Sequence, residues 1–117
     1  ARDIRMMIPT TAINLFASTP PDLPEEQIDE LVASPGIRIE RIVSRAHASP
    51  DGFWYDQDWP EWVMVLQGSA GLLFEGEFEP RTLGRGDHIL IPAQQRHRVA
   101  WTEVGCDTIW LAVHFRE

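Results

Sequence analysis

The chain has 117 residues, 44% of them hydrophobic, which allows one domain with a real core and leaves no room for a second. Eighteen acidic residues against ten basic ones give a formal net charge of −8, which opposes docking on nucleic acid or on anionic lipid. No apolar run approaches the roughly 18 residues that span a bilayer, and the single cysteine, Cys106, leaves no internal disulfide. A soluble cytoplasmic protein is therefore expected.

At the N-terminus, Ile4 to Ile8 is too short for the apolar part of a secretory signal. Asn14-Leu15-Phe16 reads as a short strand or as an arm that packs on the body or on a partner. From Asp22 the spacing predicts a helix of about ten residues. Asp22 suits the N-cap, Pro24 sits where its missing N–H is harmless, and Glu25 and Glu26 complement the dipole. Ile28, Leu31 and Val32 form an i, i+3, i+4 stripe, and Ser34-Pro35-Gly36 ends it. Residues 1–36 are thus expected to be an arm and one short helix packed on a body formed by residues 37–117.

That body reads as strands. Ile37–Val43 is rich in β-branched residues, and Trp62–Gln67 is a nearly continuous apolar run of the kind covered on both faces. Gly68-Ser69-Ala70-Gly71 turns the chain into Leu72–Glu75, and Gly76 supplies a tight turn into Glu77–Glu79. Further strands are expected at His88–Pro92, Arg98–Thr102 and Thr108–Phe115. Short strands at roughly ten-residue spacing, punctuated by glycine and proline, define an all-β sandwich or barrel.

The chemistry-bearing residues gather in two stretches. Glu61 precedes Gly68 by six intervening residues. Gly86-Asp87, Pro92 and His97 follow at regular spacing, with one hairpin between the two stretches. This paired pattern resembles the two motifs of the cupin superfamily, and the likeness runs from about residue 37 to residue 115. It is similar in particular to small bacterial cupins that carry a Trp-Tyr-Asp-Gln…Glu-Trp-Val segment. The resemblance implies a jelly-roll β-barrel with a divalent metal ion inside, zinc, iron, nickel or manganese. Its members usually supply a His-x-His pair and a glutamate from the first motif and a histidine from the second.

Here the pair falls on Tyr55 and Gln57, or, one residue further back, on Trp54 and Asp56. The implied metal ligands are then Gln57, Glu61 and His97, with Tyr55 and Glu61 as the candidate catalytic groups. Such an oxygen-rich set suits polarisation of a carbonyl or activation of water better than thiol oxidation. It points to isomerase, lyase or hydrolase chemistry on a small oxygenated molecule. A barrel that has lost its metal and simply binds a small ligand is the alternative. Alternation puts His97, Val99 and Trp101 on one face, so Trp101 is expected to line the pocket, with Trp54 and His47. Trp62 and Trp110 read as core or interface residues, and His88 and His114 as structural or surface ones. Cys106 lies beside Asp107, whose charge works against a reactive thiolate. A homodimer is expected, because edge strands in so small a barrel need covering.

Overall fold

The computed structural model describes residues 11–116; residues 1–10 of the expected arm lie outside them. Eight strands follow in order: β1 (Gln27–Ser34), β2 (Ile37–Ser44), β3 (Glu61–Gln67), β4 (Ala70–Phe74), β5 (Arg81–Leu83), β6 (His88–Ile91), β7 (His97–Thr102) and β8 (Thr108–Phe115). They form a five-stranded sheet, β1-β2-β8-β3-β6, facing a three-stranded sheet, β5-β4-β7. The hydrogen-bonded ladders do not close on each other. The jelly roll is therefore a two-layer sandwich rather than the closed barrel expected. No helix among the described residues is long and apolar enough to cross a membrane.

The predicted helix is a strand. Gln27–Ser34 runs antiparallel to β2, with Ile28 opposite Ile42, and the register shifts between Glu30 and Val32. Leu31 is the extra residue, so Ile28 faces inward with Ile42 while Val32 pairs with Ile39 on the opposite face. The apolar stripe is split between two faces. A ten-residue helix is marginal alone, whereas a strand here satisfies the open edge of β2 along its length. Asn14-Leu15-Phe16 is likewise no strand: Ala17 N–H donates to the Asn14 carbonyl in a turn.

Between the sheets lies a core of Val63, Val65, Ala70, Leu72, Phe74, Leu83, Ile91, Trp110 and Ala112. Gly68 joins β3 to β4 at φ +79°, where a Cβ would sit 2.5 Å from Thr108 Oγ1. Only glycine allows both that backbone and that approach. After Gly76 the chain bends through Glu77–Glu79 without pairing, and the next strand begins at Arg81.

Two arginines tie the segment before β1 to the body. Arg41 donates to the carbonyls of Leu15 and Ala17 and, through Nε at 2.8 Å, to Asp29. Arg45 donates to the carbonyls of Pro20 and Pro21 and to Asp107. The arm thus packs along the outer face of β2, its carbonyls satisfied by side chains in place of a ladder.

Candidate functional site

A cavity of about 230 Å³ opens between the sheets. Period-2 alternation builds its wall. From the five-stranded sheet come Ile28, then Arg38, Glu40 and Ile42, then Glu61 and Val63, then Ile91, then Trp110 and His114. Leu72, His97 and Val99 face them from the three-stranded sheet, and Glu26, Tyr55 and Gln57 enter from connecting segments.

The loop carrying Tyr55 and Gln57 is zipped to β7. Tyr55 N–H donates to the His97 carbonyl at 2.7 Å, and His97 N–H returns a bond to the Tyr55 carbonyl at 3.1 Å. The Tyr55 ring stacks on the His97 imidazole with centroids 5.4 Å apart. Two residues on, the Gln57 carbonyl is held by Gln94 N–H. This register puts Tyr55 and Gln57, rather than Trp54 and Asp56, on the cavity wall.

His97 is 3% exposed, and its Nδ1 lies 2.8 Å from the Gln95 carbonyl. A carbonyl only accepts, so Nδ1 carries the proton and the neutral ring keeps its lone pair on Nε2. Nε2 stands 3.7 Å from Glu61 Oε1, while Glu61 Oε2 is 3.6 Å from His114 Nε2. His114 Nε2 is closer to Glu40 Oε1, at 3.2 Å, and donates there. Glu40 Oε2 in turn lies 3.2 Å from Arg38 Nε. Basic and acidic side chains therefore alternate across the inner face: Arg38, Glu40, His114, Glu61, His97.

Three acceptors in this cavity lack matching donors among the described residues. Gln57 Oε1 is buried without a partner. The buried Glu61 carboxylate has only the two imidazoles near it, both beyond hydrogen-bonding distance. His97 Nε2 is the third. A buried acceptor left unpaired costs on the order of 1–3 kcal/mol, more when charged. Such a set fits a divalent cation with mixed oxygen and nitrogen ligands. No group of three His, Cys, Asp or Glu side chains among the described residues is arranged to hold a metal. His114 gives its Nε2 proton to Glu40, so the set reaches three only through the amide oxygen of Gln57.

At the other end of the cavity Glu26 accepts a bond from Ser44 Oγ, which itself accepts from Trp110 Nε1. Burial pushes the Glu26 carboxyl up, with Ser44 and His47 pulling against it. Burial, reinforced by Glu26 and Glu61, likewise raises the Tyr55 phenol, which keeps its proton. Cys106 lies away from the cavity, its thiol raised by burial and by Glu103.

The three residues expected as pocket walls lie elsewhere. The register between β4 and β7 skips Ala100, pairing Gly71 with Trp101 and Leu72 with Val99. This bulge reverses the alternation, so Val99 faces in and Trp101 lies outside, against Gly71. Trp54 is flanked by the guanidinium groups of Arg96 and Arg98. His47 turns its Nδ1 to accept from Arg45 N–H. Sequence reasoning passed over His114, Glu40, Glu26 and Arg38. For His114 the signal was present, since alternation from the core residue Trp110 through Ala112 leads to it.

Two facing sheets around a polar pocket define a double-stranded β-helix, and the comparisons give its family. A protein from Ralstonia eutropha JMP134, described as a candidate mannose-6-phosphate isomerase, is 50% identical over 92% of this chain and 99% of its own, with a TM-score of 0.87. A cupin superfamily protein from Desulfitobacterium hafniense matches 94% of this chain and 95% of its own at 15% identity and a TM-score of 0.74. An RmlC-like cupin from Methanocaldococcus jannaschii matches 84% of this chain and 86% of its own at 16% identity and a TM-score of 0.65. The chain has the cupin fold and belongs to one family with the Ralstonia protein. Neither a family model nor a curated protein matches it.

Proposed function

We propose that Gln57, Glu61 and His97 hold a divalent metal ion, zinc, iron, nickel or manganese, and that the cavity runs metal-dependent isomerase, lyase or hydrolase chemistry on a small oxygenated molecule. The unpartnered, buried Gln57 Oε1 facing the same cavity as Glu61 and the free Nε2 of His97 carries this reading. The isomerase class draws support from the description of the Ralstonia relative.

When bound, such an ion polarises a carbonyl or lowers the pKa of water. The chain's own residues do the rest. The Gln95 carbonyl fixes the His97 tautomer, and Glu40 tethers His114 with its Nε2 3.6 Å from the second oxygen of Glu61. Tyr55, protonated across the neutral range, offers a hydroxyl to a substrate oxygen, and Glu26, its carboxyl pushed up by burial, faces it from the far wall. Val63, Leu72, Ile91 and Val99 form an apolar lining that limits water and fixes orientation.

A non-enzymatic ligand-binding cupin is the second reading, favoured by the lack, among the described residues, of three His, Cys, Asp or Glu ligands in one group. Elemental analysis of tag-free protein separates the two. Near-stoichiometric metal in wild type, lost in Gln57→Ala, Glu61→Ala and His97→Ala, is expected. No metal after incubation with each of the four ions would leave the ligand-binding reading. A homodimer belongs to the proposal as well, since β1 is a sheet edge with Ile28, Leu31 and Val32 exposed. So does a cytoplasmic setting, in line with the free thiol of Cys106.

A further inference from the structure

Arg38 differs from the arginines that pin segments of the body together, and shares with Arg116, stacked on Trp59, the lack of a side-chain hydrogen bond among the described residues. Arg41, Arg45, Arg81, Arg96 and Arg98 each donate hydrogen bonds to carboxylates or carbonyls. Arg38 lines the cavity and donates none among the described residues. Glu40 lies within ion-pairing range of its Nε at 3.2 Å, yet the approach is off the N–H direction and Nε stays buried without a partner. The side chain is 44% exposed, so the tips of the fork are the accessible part. A guanidinium presents parallel N–H donors that match a planar two-oxygen anion. At this cavity they have no hydrogen-bond acceptor among the described residues.

The charge around it selects among anions. Glu26, Glu40 and Glu61 share the cavity wall, and among the described residues Arg38 is its only lysine or arginine. A single positive group against three carboxyls favours a monoanion and disfavours a phosphate dianion. We propose that Arg38 is the carboxylate-binding residue of the cavity, and that the ligand is a small hydroxy or oxo acid whose carboxylate docks on Arg38 while its oxygenated carbon faces Glu61 and His97. The inference rests on the metal site above for the charge that offsets Glu61. It parts company with the substrate in the Ralstonia relative's description, because a phosphorylated sugar brings two negative charges to an acidic pocket.

Glycerol, glycerate and glycerol 3-phosphate share one skeleton and differ in charge, and calorimetric titration of metal-incubated protein compares them. Glycerate is expected to bind saturably, with glycerol and glycerol 3-phosphate at least tenfold weaker. Arg38→Met should weaken glycerate at least tenfold and leave glycerol unchanged, and Arg38→Lys should fall between. Metal content is read on the same samples. Metal retained with glycerate affinity lost in Arg38→Met supports the subsite. Wild-type protein that holds no metal would sink the metal site alone, since the three-ligand comparison is still readable. The carboxylate role is overturned if Arg38→Met binds glycerate as wild type does, if glycerol 3-phosphate binds as tightly as glycerate, or if wild type binds no glycerate.

Discussion

Strand β2 carries two arginines three residues apart, and they live in opposite worlds. Arg41 points outward beneath the N-terminal segment, is 7% exposed, and donates to Asp29 and to the carbonyls of Leu15 and Ala17. Arg38 points into the cavity and donates nothing among the described residues. The same contrast runs through the two faces of the sheet. On the outside, donors and acceptors are matched with the exception of Arg98 Nε, as buried polar groups are when their work is to hold the chain. On the inside, Gln57 Oε1, the Glu61 carboxylate, His97 Nε2 and the Arg38 fork are unmatched. Folding alone gives no reason to keep them so, whereas a ligand does.

Mutations on the two faces sharpen that contrast. Arg41→Met leaves Asp29 and two carbonyls without their donor, and should lower unfolding stability by about 3 kcal/mol in a urea titration. Arg38→Met, on the same strand, should change it by less than about 0.5 kcal/mol. Comparable losses for the two would erase the distinction. Gly68→Ala forces a side chain onto positive φ and against Thr108, and should lose about 2–3 kcal/mol without touching the cavity. On the inner face, Glu61→Gln removes a buried carboxylate that accepts no hydrogen bond. Metal-free Glu61→Gln should therefore be as stable as wild type or up to about 1 kcal/mol more so. A clear loss would assign Glu61 a structural role instead.

The strands of residues 37–115 were readable because β-branched runs broken by glycine and proline have few other folds open to them. Glu61 and His97 were picked out by motif spacing that resembles the cupin pattern, and each opens a strand, β3 and β7. What alternation cannot see is a bulge. One unpaired residue at Ala100 turned Trp101 outward, and one at Leu31 made a split pair of faces look like a helical stripe. Glu40, Arg38 and Glu26 were hidden for another reason: they reach the cavity from β2 and the segment before β1, far in sequence from either motif. Only the register of β2 against β8 and of β3 against β8, which sets Glu61 opposite His114, brings them together.

Glu26 gives the smallest effect and the one with the sharpest sign. Its carboxyl is raised above the usual 4.5, chiefly by burial. The native state then holds this proton to higher pH than the unfolded chain does. Stability from the buried neutral acid is fully present below the unfolded pKa and is lost as pH rises through the folded one. Above that point the ionised group is carried at a penalty. Glu26→Gln keeps an acceptor for Ser44 and removes the charge, so the variant should melt higher than wild type at pH 8 and equal to it at pH 4. Melting curves at the two pH values decide the point. An equal advantage at both would mean that packing, not ionisation, distinguishes the variant, and Glu26 would then belong with the matched groups of the outer face.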